Sequence, residues 1–276
     1  MIKLFETNLI SNDPNLPRHS SKGNQLKWNS NGYWYKSDAF GYEGLAEYTC
    51  AELLRHSSLD KTEYVLYDTE EIEYKKQTHT GCKSKNFLHE NEELVTLERM
   101  FKNRYGESFY QSIWKIRGTD ERLKFIVNQV EQMTGIQNFG AYISKMFAID
   151  ALFLNEDRHM HNIAVIQDDK GQCRLCPFFD NGSALMSDTT MDYPMEEDIY
   201  SLIPTVKAKT ISTDFDEQLD TAEKLFGRQL TFTFSANDAE KIVYSETYYS
   251  EHIKRRAADI IHEQIRRYPY MFDYGV

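Results

Sequence analysis

The chain has 276 residues, of which 41% are hydrophobic and 27% charged, a balance that excludes a disordered polymer and leaves room for a core with a cleft in it. Its 32 Lys and Arg stand against 43 Asp and Glu, a formal net charge of −11. That field repels nucleic acid and anionic membrane, so no nucleic-acid partner is expected. No run approaches the roughly 18 apolar residues of a spanning helix. The first residues lack the apolar stretch and small-residue cleavage site of a standard signal peptide. The expected compartment is the cytoplasm, with signal-independent export as the alternative.

Residues 7–24 are polar and contain Pro14, Pro17 and Gly23, so they read as a loop or arm. Asn31-Gly32 then predicts a hairpin pairing 25–29 with 33–37, with Trp34 and Lys36 on one face. A helix is predicted over 43–56, followed by strands near 63–67, 72–76 and 78–83. The character changes near residue 90. Helices are predicted at 92–104, 119–133 and 138–153, the last with a wide apolar face (Phe139, Tyr142, Ile143, Met146, Phe147, Ile149, Phe153). Ile163–Ile166 and Cys173–Phe179 read as strands around the turn Asp169-Lys170-Gly171. An acidic, loop-like stretch follows at 187–198, then mostly helix, ending in a long helix over 250–267. The expected organisation is a β-rich part at residues 1–90 and a helical part at 91–276, with a ligand cleft where they meet.

The chain carries four cysteines: Cys50, Cys82 and the C-x-x-C pair Cys173 and Cys176. The pair lies between apolar residues with no second ligand pair, so it reads as ordinary strand or loop cysteine rather than a zinc or redox site. The acidic run at 195–198 reads as a solvated face. Eighteen tyrosines read as core and helix packing, not as a base-stacking platform.

The chemistry-bearing segment is Leu154-Asn155-Glu156-Asp157-Arg158-His159-Met160-His161-Asn162. It follows the apolar helix directly and is anchored by the strand after it. Asp157 and Asn162 are five positions apart, and Asp180 follows at the end of the next hairpin. Carboxylate and amide oxygens are hard ligands suited to Mg²⁺, and a free carboxylate can orient a hydroxyl and take its proton. The pattern assigns Asp157 to the hydroxyl and Asn162 and Asp180 to the metal. His159 and His161 lack a clear third partner for zinc. His159 is expected to brace the loop, and His161 has no assigned role. Protein kinases carry the same order of Asp, Asn five positions on, and a second Asp after a short hairpin. Here the His-Arg-Asp order of those enzymes is replaced by Asp157-Arg158-His159, and Asp180 precedes Asn181-Gly182.

Residues 155–162 resemble the catalytic loop of the HipA-like kinase family, including its small single-domain bacterial members. Pro177-Phe178-Phe179-Asp180-Asn181-Gly182-Ser183 resembles that family's second metal motif, 18 positions beyond Asn162. Ser20 to Lys27 resembles the phosphate-covering loop and the strand after it. Trp34-Tyr35-Lys36 resembles the strand bearing the ATP-contacting lysine. Ala46-Glu47-Tyr48 resembles the helix whose glutamate pairs with that lysine, with Glu43 as the alternative partner. The resemblance implies an α+β, two-lobed protein-kinase-like fold. It implies ATP and Mg²⁺ as cofactors and phosphoryl transfer to serine or threonine of a protein substrate.

On this reading Asp157 and Lys36 are catalytic. Lys36, Glu47, Gly81, Lys83, Asn162 and Asp180 bind the nucleotide or its metal, and the adenine meets the backbone of the connecting segment at Gly81–Phe87. Autophosphorylation is expected at Ser20 or Ser21. The family's larger toxins carry an N-terminal subdomain ahead of the nucleotide loop; this chain starts close to that loop, which weakens any inference to a toxin–antitoxin pair. The alternatives are a small-molecule or lipid kinase, a nucleotidyl transferase of the same fold, and a catalytically inactive nucleotide-binding scaffold.

Overall fold

Asn31 and Gly32 take left-handed φ values of 51° and 79°, the type I′ geometry whose twist matches a two-residue hairpin. The predicted hairpin therefore forms where Asn-Gly required it. The structure, a computed structural model, describes residues 1–9 and 25–274. In chain order its strands and helices are β1 (Ile2–Lys3), β2 (Lys27–Ser30), β3 (Tyr33–Ser37), α1 (Glu43–Leu54), β4 (Tyr67–Tyr74), β5 (Gln77–Lys85), β6 (Glu92–Thr96), α2 (Leu97–Tyr105), α3 (Phe109–Lys115), α4 (Thr119–Thr134), α5 (Phe139–Phe153), β7 (Ala164–Asp168), β8 (Cys173–Leu175), α6 (Ile199–Leu202), α7 (Phe215–Phe226), α8 (Ala236–Ser245) and α9 (Glu251–Arg267). Among the described residues no helix is long and apolar enough to cross a membrane.

The chain divides into two compact units. The first comprises Met1–Asn86, Phe179–Val206 and Phe232–Val276; the second comprises Phe87–Phe178 and Lys207–Thr231.

The first unit is built on a five-stranded sheet ordered β1-β4-β5-β3-β2, antiparallel except for β1 beside β4. Lys36 of β3 pairs with Cys82 of β5, which pairs with Thr69 of β4, so these three share a face. The opposite face carries a small core of Leu4, Trp28, Tyr35, Ile72 and Tyr74. The β4–β5 connection is a second two-residue turn, with Lys75 and Lys76 at φ 50° and 65°. Two lysines give none of the Asn or Gly signal of such a turn. The predicted strand at 63–67 accordingly disappears, and β4 begins at Tyr67.

Helix α1 is buried nearly all round, as expected of a helix enclosed by sheet and other helices. Its N-cap, Tyr42, supplies no side-chain acceptor. Asp38 does that work instead, and Glu43 holds the backbone that leads into the helix. Asp38 Oδ1 accepts the Gly44 N–H at 2.7 Å, and Glu43 accepts the N–H groups of Ala39, Phe40 and Gly41 at 3.2, 2.8 and 3.1 Å. Asp38 Oδ2 also accepts the hydroxyls of Thr80 and Tyr249, both at 2.8 Å. One aspartate thus ties α1, β5 and the segment before α9 together. Burial, with the charge of Glu43 adding to it, pushes the Asp38 carboxyl from the ordinary 3.8 to about 6.

The second unit centres on α5, whose side chains are nearly all buried, including Phe139, Phe147 and Phe153 at full burial. Each such side chain contributes about 1.5–3 kcal/mol through burial. A three-stranded antiparallel sheet, β6-β7-β8, packs in the same unit. The helix predicted at 92–104 is therefore half wrong. Glu92–Thr96 forms a strand on β7, and α2 starts only at Leu97, capped by the Thr96 hydroxyl. Pairing with a distant strand overrode a local sequence of weak β propensity.

Helix α5 ends in a left-handed Leu154 (φ 55°), unusual for a buried, non-Gly residue. The next turn is held by a buried ion pair. The Arg158 Nε lies 3.1 and 3.2 Å from the two carboxylate oxygens of Asp150, itself fully buried on α5.

Two outcomes follow from these anchors. Arg158→Met strands a buried carboxylate and is expected to cost about 3–5 kcal/mol in a denaturant titration. For Asp38 the raised pKa means that the folded chain holds the proton more tightly than the unfolded chain. That contribution is complete below the unfolded pKa and is lost as pH rises through about 6. Asp38→Asn abolishes the titration, so the stability of the variant relative to the parent should rise by up to about 3 kcal/mol between pH 4 and pH 7.

Candidate active site

Lys36 comes from the middle of the sheet face covered by α1, and its ammonium is held between two carboxylates. Nζ donates to Glu47 Oε1 at 2.6 Å and to Asp180 Oδ1 at 2.7 Å. Burial pulls the Lys36 pKa down, but the charges of Asp180 and Glu47 outweigh it and hold the ammonium well above its ordinary range. The Tyr67 ring lies 5.3 Å from the same ammonium, and the Tyr67 hydroxyl accepts the Asp180 N–H at 3.5 Å.

Glu47 is 1% exposed and does double work. Its second oxygen accepts the Asn181 N–H at 2.8 Å. Helix α1 thereby fixes the backbone beside Asp180, which sits in the left-handed region at φ 62°. An aspartate tolerates that region better than most residues, at a cost of order 1 kcal/mol. Glu47, not Glu43, meets Lys36, because Glu43 is spent on the backbone before α1.

Two of the expected nucleotide residues are placed otherwise. Gly81 and Lys83 lie within β5, not in a connecting segment. Gly81 pairs with Ser37 and Glu70, and a side chain there would meet the Lys36 carbonyl oxygen at 2.0 Å. The backbone of β3 thus requires glycine at 81, and the close approach of helix to strand requires it at 44, where a Cβ would lie 2.6 Å from the carbonyl carbon of Gly81. Lys83 is on the face of β5 opposite Lys36 and forms a 3.0 Å ion pair with Glu70. Ser20 and Ser21 lie outside the described residues, as does most of the expected phosphate-covering loop.

The second unit holds the other cluster. Asn162 closes the loop on Asp157. Its amide nitrogen donates to the Asp157 carbonyl at 2.7 Å and to Asp157 Oδ2 at 3.0 Å. That orientation, assigned from the hydrogen bonds, presents the amide oxygen away from Asp157 as a ligand for a cation. His159 Nδ1 accepts the His161 N–H at 3.3 Å, which places the proton on Nε2. Nε2 is buried without a hydrogen-bond partner, 3.5 Å from Asp157 Oδ1. Burial lowers the His159 pKa, and the Asp157 charge opposes this only in part, so the ring is held neutral. Lys209 Nζ lies 3.8 Å from Asp157 Oδ1.

Among the described residues no group of three or more His, Cys, Asp or Glu can hold a metal ion by itself. Magnesium does not need one. It binds through one or two protein oxygens and completes its shell with phosphate and water. The Asn162 amide oxygen and the Asp180 carboxylate are donors of the right kind, and the orphaned Nε2–H of His159 is a buried donor of the kind a phosphate oxygen satisfies. None of the four cysteines is in a disulfide, and burial raises the thiols of Cys82, Cys173 and Cys176, the last up to about 12. That shift disfavours the thiolate, the nucleophilic form, at these three.

Lys209, Tyr67 and the second contact of Glu47 left no signal in the sequence. Asp150 sits within an apolar helix, where a buried carboxylate demands a partner; that was a readable sign of the Arg158 pair.

No protein-family model and no curated protein matches the sequence. Among solved structures, the crystal structure of a Helicobacter pylori proinflammatory kinase, CtkA, matches with a TM-score of 0.61 over 96% of this chain and 94% of that one, at 16% identity. At that identity the likeness is one of fold: the chain has a mixed α/β, kinase-like fold.

Proposed function

We propose that this chain is an ATP- and Mg²⁺-dependent kinase of HipA-like type that phosphorylates serine or threonine hydroxyls of protein. The observation that carries the reading is the ammonium of Lys36 between Glu47 and Asp180, at 2.6 and 2.7 Å. Lysine and glutamate so paired direct a fixed point charge at phosphate, and an aspartate beside them is a metal ligand. The name of the structural neighbour, a kinase, supports the same class.

Each residue then has a chemical task. Lys36 binds the α- and β-phosphates, and Glu47 holds its direction. Asn162 and Asp180 would hold magnesium, which supplies neutralisation of the charge on the β- and γ-phosphates. Asp157 orients the acceptor hydroxyl and takes its proton. Asn162 and the buried loop keep that carboxylate in place, because a misplacement near 1 Å costs about 10²-fold in rate.

Two variants separate these tasks. Asp180→Ala is expected to abolish Mg-ATP turnover, with a loss of at least about 10³-fold. Asp157→Asn should keep Mg-ATP affinity within about 3-fold in calorimetry while phosphate transfer falls about 10²–10⁴-fold. Normal turnover in either variant overturns the assignment. ATP labelled separately at the α and γ positions tests the reaction class. Label from the γ position in the product supports a kinase, and label from the α position would make the chain a nucleotidyl transferase.

A further inference from the structure

The catalytic loop's own cations are not directed at the reaction. Arg158 is consumed by Asp150 inside the core, with its side chain 4% exposed. His159 is neutral, for the reasons given above. The cation beside Asp157 comes from elsewhere, from the segment between the 3-10 turn at 203–205 and α7. Lys209 Nζ lies 3.8 Å from Asp157 Oδ1, with its side chain 38% exposed.

The backbone around Lys209 is built to hold it there. Thr210 is fully buried, and its hydroxyl donates to the Arg158 carbonyl at 2.5 Å. The N–H groups of Thr210, Ile211 and Ser212 all donate to one oxygen, Oε1 of the buried Gln218, at 3.1, 2.8 and 3.3 Å. Arg122 donates to the Ile211 carbonyl at 2.8 Å and to the Ile116 carbonyl at 2.9 Å. Ala208 N–H donates to the Thr213 carbonyl at 3.2 Å. These bonds fix the chain on both sides of Lys209 and tie it to the catalytic loop itself.

Stability does not account for the arrangement. At 3.8 Å the pair is too long for a hydrogen bond. A half-exposed ion pair contributes about 0–1 kcal/mol. The ammonium is on a flexible four-carbon stem and can turn from Asp157 to a nearby anion without moving the backbone.

We propose that Lys209 is a further catalytic residue, donating to an oxygen of the phosphoryl group as it passes from nucleotide to acceptor. The inference rests on the kinase reading above. In the step, the acceptor hydroxyl oxygen bonds to the γ-phosphorus. The bond from that phosphorus to the β–γ bridging oxygen breaks, and its electron pair leaves on ADP. The hydroxyl proton passes to Asp157. Lys209 takes no part in the proton transfer and stabilises the equatorial charge, as a lysine or arginine clamp does wherever a phosphoryl group is transferred.

The test reads binding as well as rate. Calorimetry is run with Mg-ADP alone and with Mg-ADP plus aluminium fluoride, which mimics the group in transfer, on the full chain and on Lys209→Met and Lys209→Arg. The parent should bind Mg-ADP and gain at least about 10-fold from fluoride. Lys209→Met should bind Mg-ADP within about 2-fold of the parent, lose most of the fluoride gain and lose about 10²–10³-fold in turnover. Lys209→Arg, which keeps the charge, should restore part of both. A Lys209→Met variant with the full fluoride gain and full turnover overturns the role. So does a parent that binds Mg-ADP but gains nothing from fluoride, and that result leaves the nucleotide site standing. A parent that does not bind Mg-ADP overturns the kinase reading and this one with it.

Discussion

A buried ammonium needs buried carboxylates. Lys36 sits in the middle of a sheet, under a helix, where an unpaired charge would cost several kcal/mol. Glu47 and Asp180 meet that cost, and in doing so they set the position of α1 and of the backbone beside Asp180. Much of the first unit serves this arrangement. Gly44 lets the helix descend onto the sheet, and Asp38 caps the helix where its own N-cap residue does not.

The cluster sets one ammonium between two carboxylates, Glu47 and Asp180, on α1 and on the segment after β8. The second unit solves a different problem. Its loop holds the Asp157 carboxylate in a position that is 11% exposed. It does so by burying the neighbours: Arg158 on Asp150, Thr210 on the Arg158 carbonyl, and Asn162 folded back on Asp157. The loop is polar in sequence, yet Asn155, Glu156, Asp157 and Arg158 are all buried in the structure.

The sequence was most legible where a single residue pattern imposes one geometry. Asn31-Gly32 specified its turn, and the apolar spacing of 139–153 specified a buried helix. It was least legible where geometry came from a remote partner. Glu92–Thr96 became a strand only because β7 lies beside it. Lys75-Lys76 adopted a glycine-like turn because the β4–β5 pairing on both sides compelled it. Lys83 looked like a nucleotide lysine in sequence, but strand alternation turns it to the far face, onto Glu70.

By itself the sequence determined which residue types were available for the chemistry, and that Asp157 and Asn162 lie within one short loop. Spacing along the chain is enough for that, since five residues cannot separate far. Which glutamate faces Lys36, which cation faces Asp157 and which face of β5 holds Lys83 were decided only by the tertiary structure. Lys36 and Asp180 are 144 positions apart, and contacts at such range leave no periodic trace in the chain that makes them.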